Sequence, residues 1–324
     1  MVAVGVGAMV GAAGFYLYRQ LFGDSGRTFL QQDTGVQNAS NRQSRRSNPH
    51  CSQVALSVTT EAETDKVDNV LEFSPENETS EEETSDAVTL EYIDLLIYDV
   101  TSHEDSTKAY GLLLELVKKF GDDDDILWRL AKTCYGLAIQ YERMSNKEEY
   151  KEMIYKGVEY GQKAIDINEW NGNAHKWFAV CVGIRGQLQG VTGKLMDSQL
   201  FKIHLDKALT INPTDPTLHH LRGRYHLEMY KLSSVEQMIA TTLFGAPPEV
   251  SLRTALSSLF EAEKHNKKGW KANTLLIAKC YLEIPNLQKG LDWLKIAKKM
   301  PVHSSQDAEA DEDIDIVLGL FFLN

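Results

Sequence analysis

Cysteine is scarce in this chain and never clustered. Cys51, Cys134, Cys181 and Cys280 are the whole supply among 324 residues, with no Cys-x-x-Cys pair and no histidine nearby at metal-ligand spacing. That pattern gives neither a disulfide framework nor a zinc module. The last three lie within helical patterns and read as buried free thiols of a reducing, cytosolic compartment. Proline is rare too, eight in all, and the apolar residues recur at helical spacing, so the expectation is an all-α protein. Basic charge is also short. Lys and Arg number 34 against 46 Asp and Glu, a net −12, which speaks against nucleic acid as a partner because phosphate neutralisation needs clustered cations. There is no Gly-x-x-x-x-Gly-Lys loop for a nucleotide, and no distinctive nucleophile, carboxylate pair or ligand cluster. The densest histidine group, His219, His220 and His226, reads as helix packing. Asp122 to Asp125 read as an N-terminal helix cap, because the glycine and terminal glutamate of a calcium loop are missing. The expectation is a non-enzyme with no cofactor and no metal.

The charge is uneven. Between Glu61 and Asp86 stand eleven carboxylates and one lysine, so this short stretch holds most of the negative excess. Before it, residues 1–23 carry no charged side chain until Arg19, an apolar run just long enough to cross a bilayer at about 1.5 Å per residue. A transmembrane anchor is the expectation, with a secretory signal peptide as its rival. Gly7 and Gly11 stand at the spacing that lets two such helices approach. Arg19, Arg27, Arg42, Arg45 and Arg46 follow the run and place the rest of the chain on the cytosolic side. Residues 24–87 are polar and aperiodic, basic then acidic, and read as a disordered linker. Within it, Glu72, Phe73 and Glu78 resemble the phenylalanine-in-an-acidic-tract motif read by contact-site receptors of the endoplasmic reticulum, with Ser74 and Pro75 departing from it.

Residues 88–302 show the spacing of tetratricopeptide-like helical hairpins, so the architecture expected is an α-solenoid. Ala278, Tyr281, Gly290, Leu294 and Ala297 fit one unit of about 34 residues without insertion. Three earlier units fit only if their hairpins are enlarged, with the extra residues collecting along one edge of the solenoid. The third enlargement, around 230–256, contains Val235, Met238, Ile239 and Leu243 at i, i+3, i+4 and i+8. It is expected to extend the preceding helix up to Gly245 and Pro247-Pro248, with Phe244 beside it, and to cover a neighbouring repeat or wall an apolar groove for a partner or lipid. Residues 303–324 read as an acidic loop followed by an apolar segment.

The runs Leu221-Arg222-Gly223-Arg224-Tyr225, Lys231-Leu232-Ser233, Ala240-Thr241-Thr242-Leu243-Phe244-Gly245 and Ala278-Lys279-Cys280-Tyr281, with Trp128-Arg129-Leu130-Ala131 earlier, resemble the regulator of microtubule dynamics proteins over roughly residues 90 to 300. The resemblance implies association with microtubules and spindle poles. For membrane-anchored members it also implies a place on mitochondria at contacts with the reticulum, and a solenoid able to hold phospholipid. Two functions are therefore expected. One is a tethered adaptor on the mitochondrial outer membrane, or alternatively the reticulum, binding tubulin. The other is a phospholipid carrier at membrane contacts. Lys264, Lys267, Lys268 and Lys271 form a candidate basic patch for acidic tubulin tails, and Lys295, Lys298 and Lys299 form another.

Overall fold

The computed structural model describes residues 90–98, 102–246, 250–266, 269–284 and 287–322. The expected anchor at 1–23, the expected linker at 24–87 and the motif residues Glu72, Phe73 and Glu78 lie outside the described residues, as do Lys267 and Lys268. Among the described residues there are helices and no strand, and no helix is long and apolar enough to cross a membrane.

After a short helix at 90–96, the helices are α1 (His103–Phe120), α2 (Asp124–Arg143), α3 (Lys147–Ile167), α4 (Gly172–Gln187), α5 (Val191–Ile211), α6 (Pro216–Tyr230), α7 (Ser234–Phe244), α8 (Leu252–His265), α9 (Lys271–Leu282), α10 (Leu287–Lys299) and α11 (Ser305–Phe322). They pair as hairpins α2–α3, α4–α5, α6–α8 and α9–α10, with α1 packed on α2. Their starts are written in the sequence. Ser102, Asp123, Asn171, Asp215, Ser233 and Ser251 each sit at an N-cap and accept a hydrogen bond from a backbone N–H of the first turn, satisfying donors that the helix itself cannot. Asp123 does so for Asp125 and Ile126, which is the capping role read from the aspartate run.

Small residues set how closely the hairpins pack. A Cβ on Gly161 of α3 would lie 2.9 Å from Cβ of Phe178 on α4, and one on Gly223 of α6 only 2.5 Å from Cγ of Leu259 on α8, so a larger side chain would push neighbouring helices apart, between hairpins in the first case and within one in the second. The core so formed is continuous through α1 to α4, where Leu113, Leu130, Phe178 and Val182 are buried together. Cys134, Cys181 and Cys280 are buried free thiols; burial pushes the Cys181 thiol up to about 12, leaving it inert at neutral pH.

Two expectations are corrected. The first two enlarged hairpins are not enlarged at their bends. α2 and α3 run 20 and 21 residues, and α5 runs 21, while the bends at 144–146 and 188–190 stay short. Extra residues added as helix satisfy their own backbone groups, whereas added as loop they would cost chain entropy and leave those groups to water. Only the third connection, 231–251, holds an inserted element, and α7 is a separate helix rather than a continuation of α6. The chain breaks at 231–233, where Ser233 and Glu236 form a reciprocal capping box that starts α7 afresh; Gly245, at φ 76°, ends it. Second, the segment read as acidic loop and apolar tail is almost entirely one helix, α11, packed on α9 and α10.

Candidate functional site

α11 is held by the first helices of three hairpins and by the last helix of the row. Ala310 and Ile314 are buried, with Val317 and Leu318 partly so, against the cluster of Leu275, Ala278, Leu294 and Ala297. Around this apolar seam the carboxylates of α11 meet cations in sequence. Arg143 at the end of α2 reaches Glu309 at 3.1 Å. Lys271 of α9 pairs with Asp311, and Lys279, also of α9, pairs with Asp313 at 2.8 Å. Lys298 of α10 bridges Asp311 at 3.1 Å and Asp315 at 2.8 Å. Gln306 donates to Nε2 of His220 in α6 (3.3 Å), whose Nδ1 donates to Oδ1 of Asn273 (3.0 Å). Burial pulls His220 down to about 4, so it is a neutral ring that can donate from one nitrogen and accept at the other. α11 therefore lies against the face that the first helices α2, α6 and α9 have in common, termed the inner face.

Electrostatics on this face follow from that placement. Burial draws the ammonium of Lys279 down and outweighs the opposing pull of Asp313. Hydrogen bonds from Lys271 and then Lys298 hold Asp311 below the usual carboxylate range. Burial, and then the neighbouring charge of Glu309, raise Glu142 to about 7 against the opposing effect of Arg143; its Oε2 is buried without a hydrogen-bond partner. Asp307, buried at the start of α11, accepts from the backbone N–H of Ala272 (3.2 Å). It thus supplies the helix-end acceptor that Trp270, the N-cap residue of α9, does not.

The expected groove residues fall elsewhere. Of Val235, Met238, Ile239, Leu243 and Phe244, only Ile239 packs inward, against the cluster of Leu195, Tyr225, Met229, Leu232 and Ala240. Val235 and Met238 are 60% and 64% exposed, and Leu243 and Phe244 are exposed as well. The segment presents an apolar ridge to solvent and is moored to α5 through Lys194 and Glu236 at 3.2 Å.

The basic patch is corrected as well. Lys271 is 2% exposed and committed to Asp311, so it cannot present charge to a partner's surface; Lys264 is exposed but paired with Glu261 at 3.1 Å. In the second lysine group, Lys298 is likewise engaged by α11. The histidines are divided among separate contacts. His219 donates to the carbonyl of Pro213 (2.8 Å), His220 stacks on Trp270 at 4.1 Å, and His226 meets Tyr225 edge-on. No group of three or more metal-ligating side chains occurs among the described residues. The sequence reading missed Arg143, Lys279 and the whole of α11. Its signal was present in Ala310, Ile314, Val317 and Leu318 at i, i+4, i+7 and i+8, a helical stripe beside Asp307, Asp311 and Asp315.

A row of α-helical hairpins with cations on one face, covered there by the chain's own acidic helix, places the protein in the class of helical-repeat proteins. The sequence model of the family described as regulator of microtubule dynamics protein 1-3 matches residues 89–320, and the chain belongs to that family. It is 33% identical over 217 residues to regulator of microtubule dynamics protein 1 of Pongo abelii, covering 67% of this chain and 68% of the relative. To regulator of microtubule dynamics protein 2 of Homo sapiens it is 31% identical, covering 67% of this chain and about half, 52%, of the relative. Among solved structures, a thermophilic tetratricopeptide-repeat protein of Thermus thermophilus aligns with 73% of this chain and all of its own at 15% identity and a TM-score of 0.47; that likeness is too loose to add to the hairpins seen directly.

Proposed function

We propose that this chain is a membrane-anchored helical-repeat adaptor that associates with microtubules and tethers organelle membranes, mitochondrion to endoplasmic reticulum. Residues 1–23 serve as the anchor, 24–87 as a tether carrying the receptor motif at Glu72, Phe73 and Glu78, and the helical row from 88 onward as the docking body on the cytosolic side. The observation that carries the reading is family membership: relatives matching over two thirds of this chain are named for microtubule dynamics. A row of hairpins with a cation-lined inner face supports it, because scaffolds of this kind present extended concave surfaces to other proteins. The microtubule contact does not use Lys271; it draws on the rest of the patch, Lys264 with Lys267 and Lys268. The test is co-sedimentation of the full-length chain, in mild non-ionic detergent, with polymerised tubulin. The reading expects pelleting that weakens as salt rises through the range where the Debye length falls from about 30 to 10 Å. A chain that stays in the supernatant at low salt refutes it.

The exposed ridge of Val235 and Met238 supports a second reading, a phospholipid carrier at membrane contacts with α7 as its lipid-facing element. Its test is transfer of a labelled phospholipid between vesicles. The double variant Val235→Asp, Met238→Asp should abolish transfer while leaving microtubule pelleting intact, and unchanged transfer removes this reading.

A further inference from the structure

The cation row beneath α11 is built for one kind of ligand. Lys271 is buried and Lys279, on the same helix, is largely so, and buried ammonium groups are retained only where an anion meets them. Arg143 and Lys298 extend the row to either side. Between the cations lies an apolar strip of Leu275, Ala278, Leu294 and Ala297. A surface with cations flanking an apolar strip fits a helix whose carboxylates recur every four residues beside a stripe of small and branched apolar side chains. α11 is such a helix, with Glu309 and Asp313 four residues apart on one side of the stripe of Ala310 and Ile314, and Asp311 and Asp315 four apart on the other. Most of its polar hold is ionic, which makes the surface selective for charge pattern more than for a particular sequence.

We propose that this inner face is a docking surface for an acidic amphipathic helix supplied by a partner protein, and that α11 is its occupant within the same chain. The inference rests on the docking reading above and gives that reading a ligand chemistry. α11 is joined to α10 by residues 300–304 alone, so it competes at an effective concentration in the millimolar range or above. A partner helix of equal intrinsic affinity is therefore held off until α11 is weakened, and its apparent affinity scales with the fraction of chains in which the face is open.

The probe is a fluorescein-labelled peptide of residues 303–322 added to the full-length chain in mild detergent, followed by anisotropy, with a scrambled peptide of the same composition as control. The wild type should bind it weakly. The variant Asp311→Asn, Asp313→Asn, Asp315→Asn loosens α11 and should bind the peptide at least about tenfold more tightly. Adding Lys279→Gln and Lys298→Gln to that variant should erase the gain, and salt should diminish it. Because the triple variant strips charge from one helix, a gentler opening, Arg143→Gln with Glu309→Gln, removes both members of the half-exposed outer pair; it should give a smaller gain in the same direction. Circular dichroism identifies any variant that has lost its helices. No gain in the helical variants, a gain equal for the scrambled peptide, or a gain that survives loss of Lys279 and Lys298 overturns the proposal. Co-sedimentation of the same proteins separates the two claims: a chain that pellets with microtubules yet never takes the peptide overturns this inference and leaves the docking reading standing.

Discussion

α7 and α11 are the two helices that a row of paired repeats does not require, and they are held in opposite ways. α7 is apolar and capped at both ends by its own residues, Ser233 with Glu236 and Gly245, yet it turns Val235 and Met238 to solvent. α11 is crowded with carboxylates that repel one another, which disfavours a helix in isolation, yet cations on α2, α9 and α10 meet them. One helix has its ends fixed by local chemistry and, among the described residues, has no partner for its outer face. The other exists because the rest of the fold supplies partners. Apolar periodicity therefore marked the helix that is left exposed, while the helix that fills the inner face was hidden behind its charge.

Truncating one apolar side chain on each helix should produce the largest contrast. Ile314 is fully buried, and Ile314→Ala should cost about 3 kcal/mol through lost burial and the cavity left behind. Met238→Ala, at an exposed position, should stay within about 0.5 kcal/mol. Urea unfolding of both variants measures the difference; equal losses would mean that the outer face of α7 is covered after all. Asp311→Asn should follow at about 2 kcal/mol, because it leaves the buried ammonium of Lys271 facing a neutral amide, and an orphaned buried charge costs more than the pair contributed. Replacing both partners, Lys271→Met with Asp311→Leu, should recover most of that loss; a double variant as unstable as Asp311→Asn alone would show that the pair is not the cause.

How far the fold was legible follows from these particulars. The hairpins were readable because Gly161, Gly223, Ala278 and Gly290 stand where helices approach closely, and such requirements repeat along the chain. The capping boundaries were readable for the same reason: a serine or aspartate at an N-cap acts within a few residues of itself. The division of the third connection into two helices was also encoded locally, in Ser233-x-x-Glu236, but the apolar spacing across it gave no sign of the break. The helical stripe of α11 was there to be read, but where the helix docks was not, because its charges are answered by residues far away in the chain: Arg143 lies 166 positions from Glu309. The supposed surface lysines failed for the same reason. Whether Lys271 faces water or Asp311 is a property of the packed structure and leaves no mark within its own helix.

If α7 is indeed self-contained, its cap is worth a measurable amount by itself. Ser233→Ala removes the acceptor for the N–H of Glu236 and the hydroxyl that donates to the same carboxylate, and should cost about 1 kcal/mol. The effect belongs in α7: amide exchange should quicken at 236–244 and stay unchanged in α9 and α11. A loss of protection spreading to α11 would show the two helices to be coupled.

The smallest effect expected separates the two helices by pH, because α11 brings the carboxylate of Glu309 against the half-buried one of Glu142. Glu142 of α2 faces Glu309 from α11, its neighbour Arg143, and the phenols of Tyr135 and Tyr150. Its folded-state pKa, raised to about 7 from 4.5, means that between these values the folded chain holds a proton that the unfolded chain releases. Stability from this group therefore falls as pH rises from 4.5 to 7, and the penalty is complete above 7. Glu142→Gln should relieve it, stabilising the protein by up to about 1 kcal/mol at pH 8, since partial exposure screens the interaction. The gain should shrink toward zero near pH 4, where the carboxyl is protonated in both states. Urea midpoints at the two pH values test this. The same substitution paired with Glu309→Gln should add little at pH 8, because the first change already removes their repulsion. A gain independent of pH would mean that Glu142 is not held uncharged against α11, and that α11 meets α2 only through Arg143.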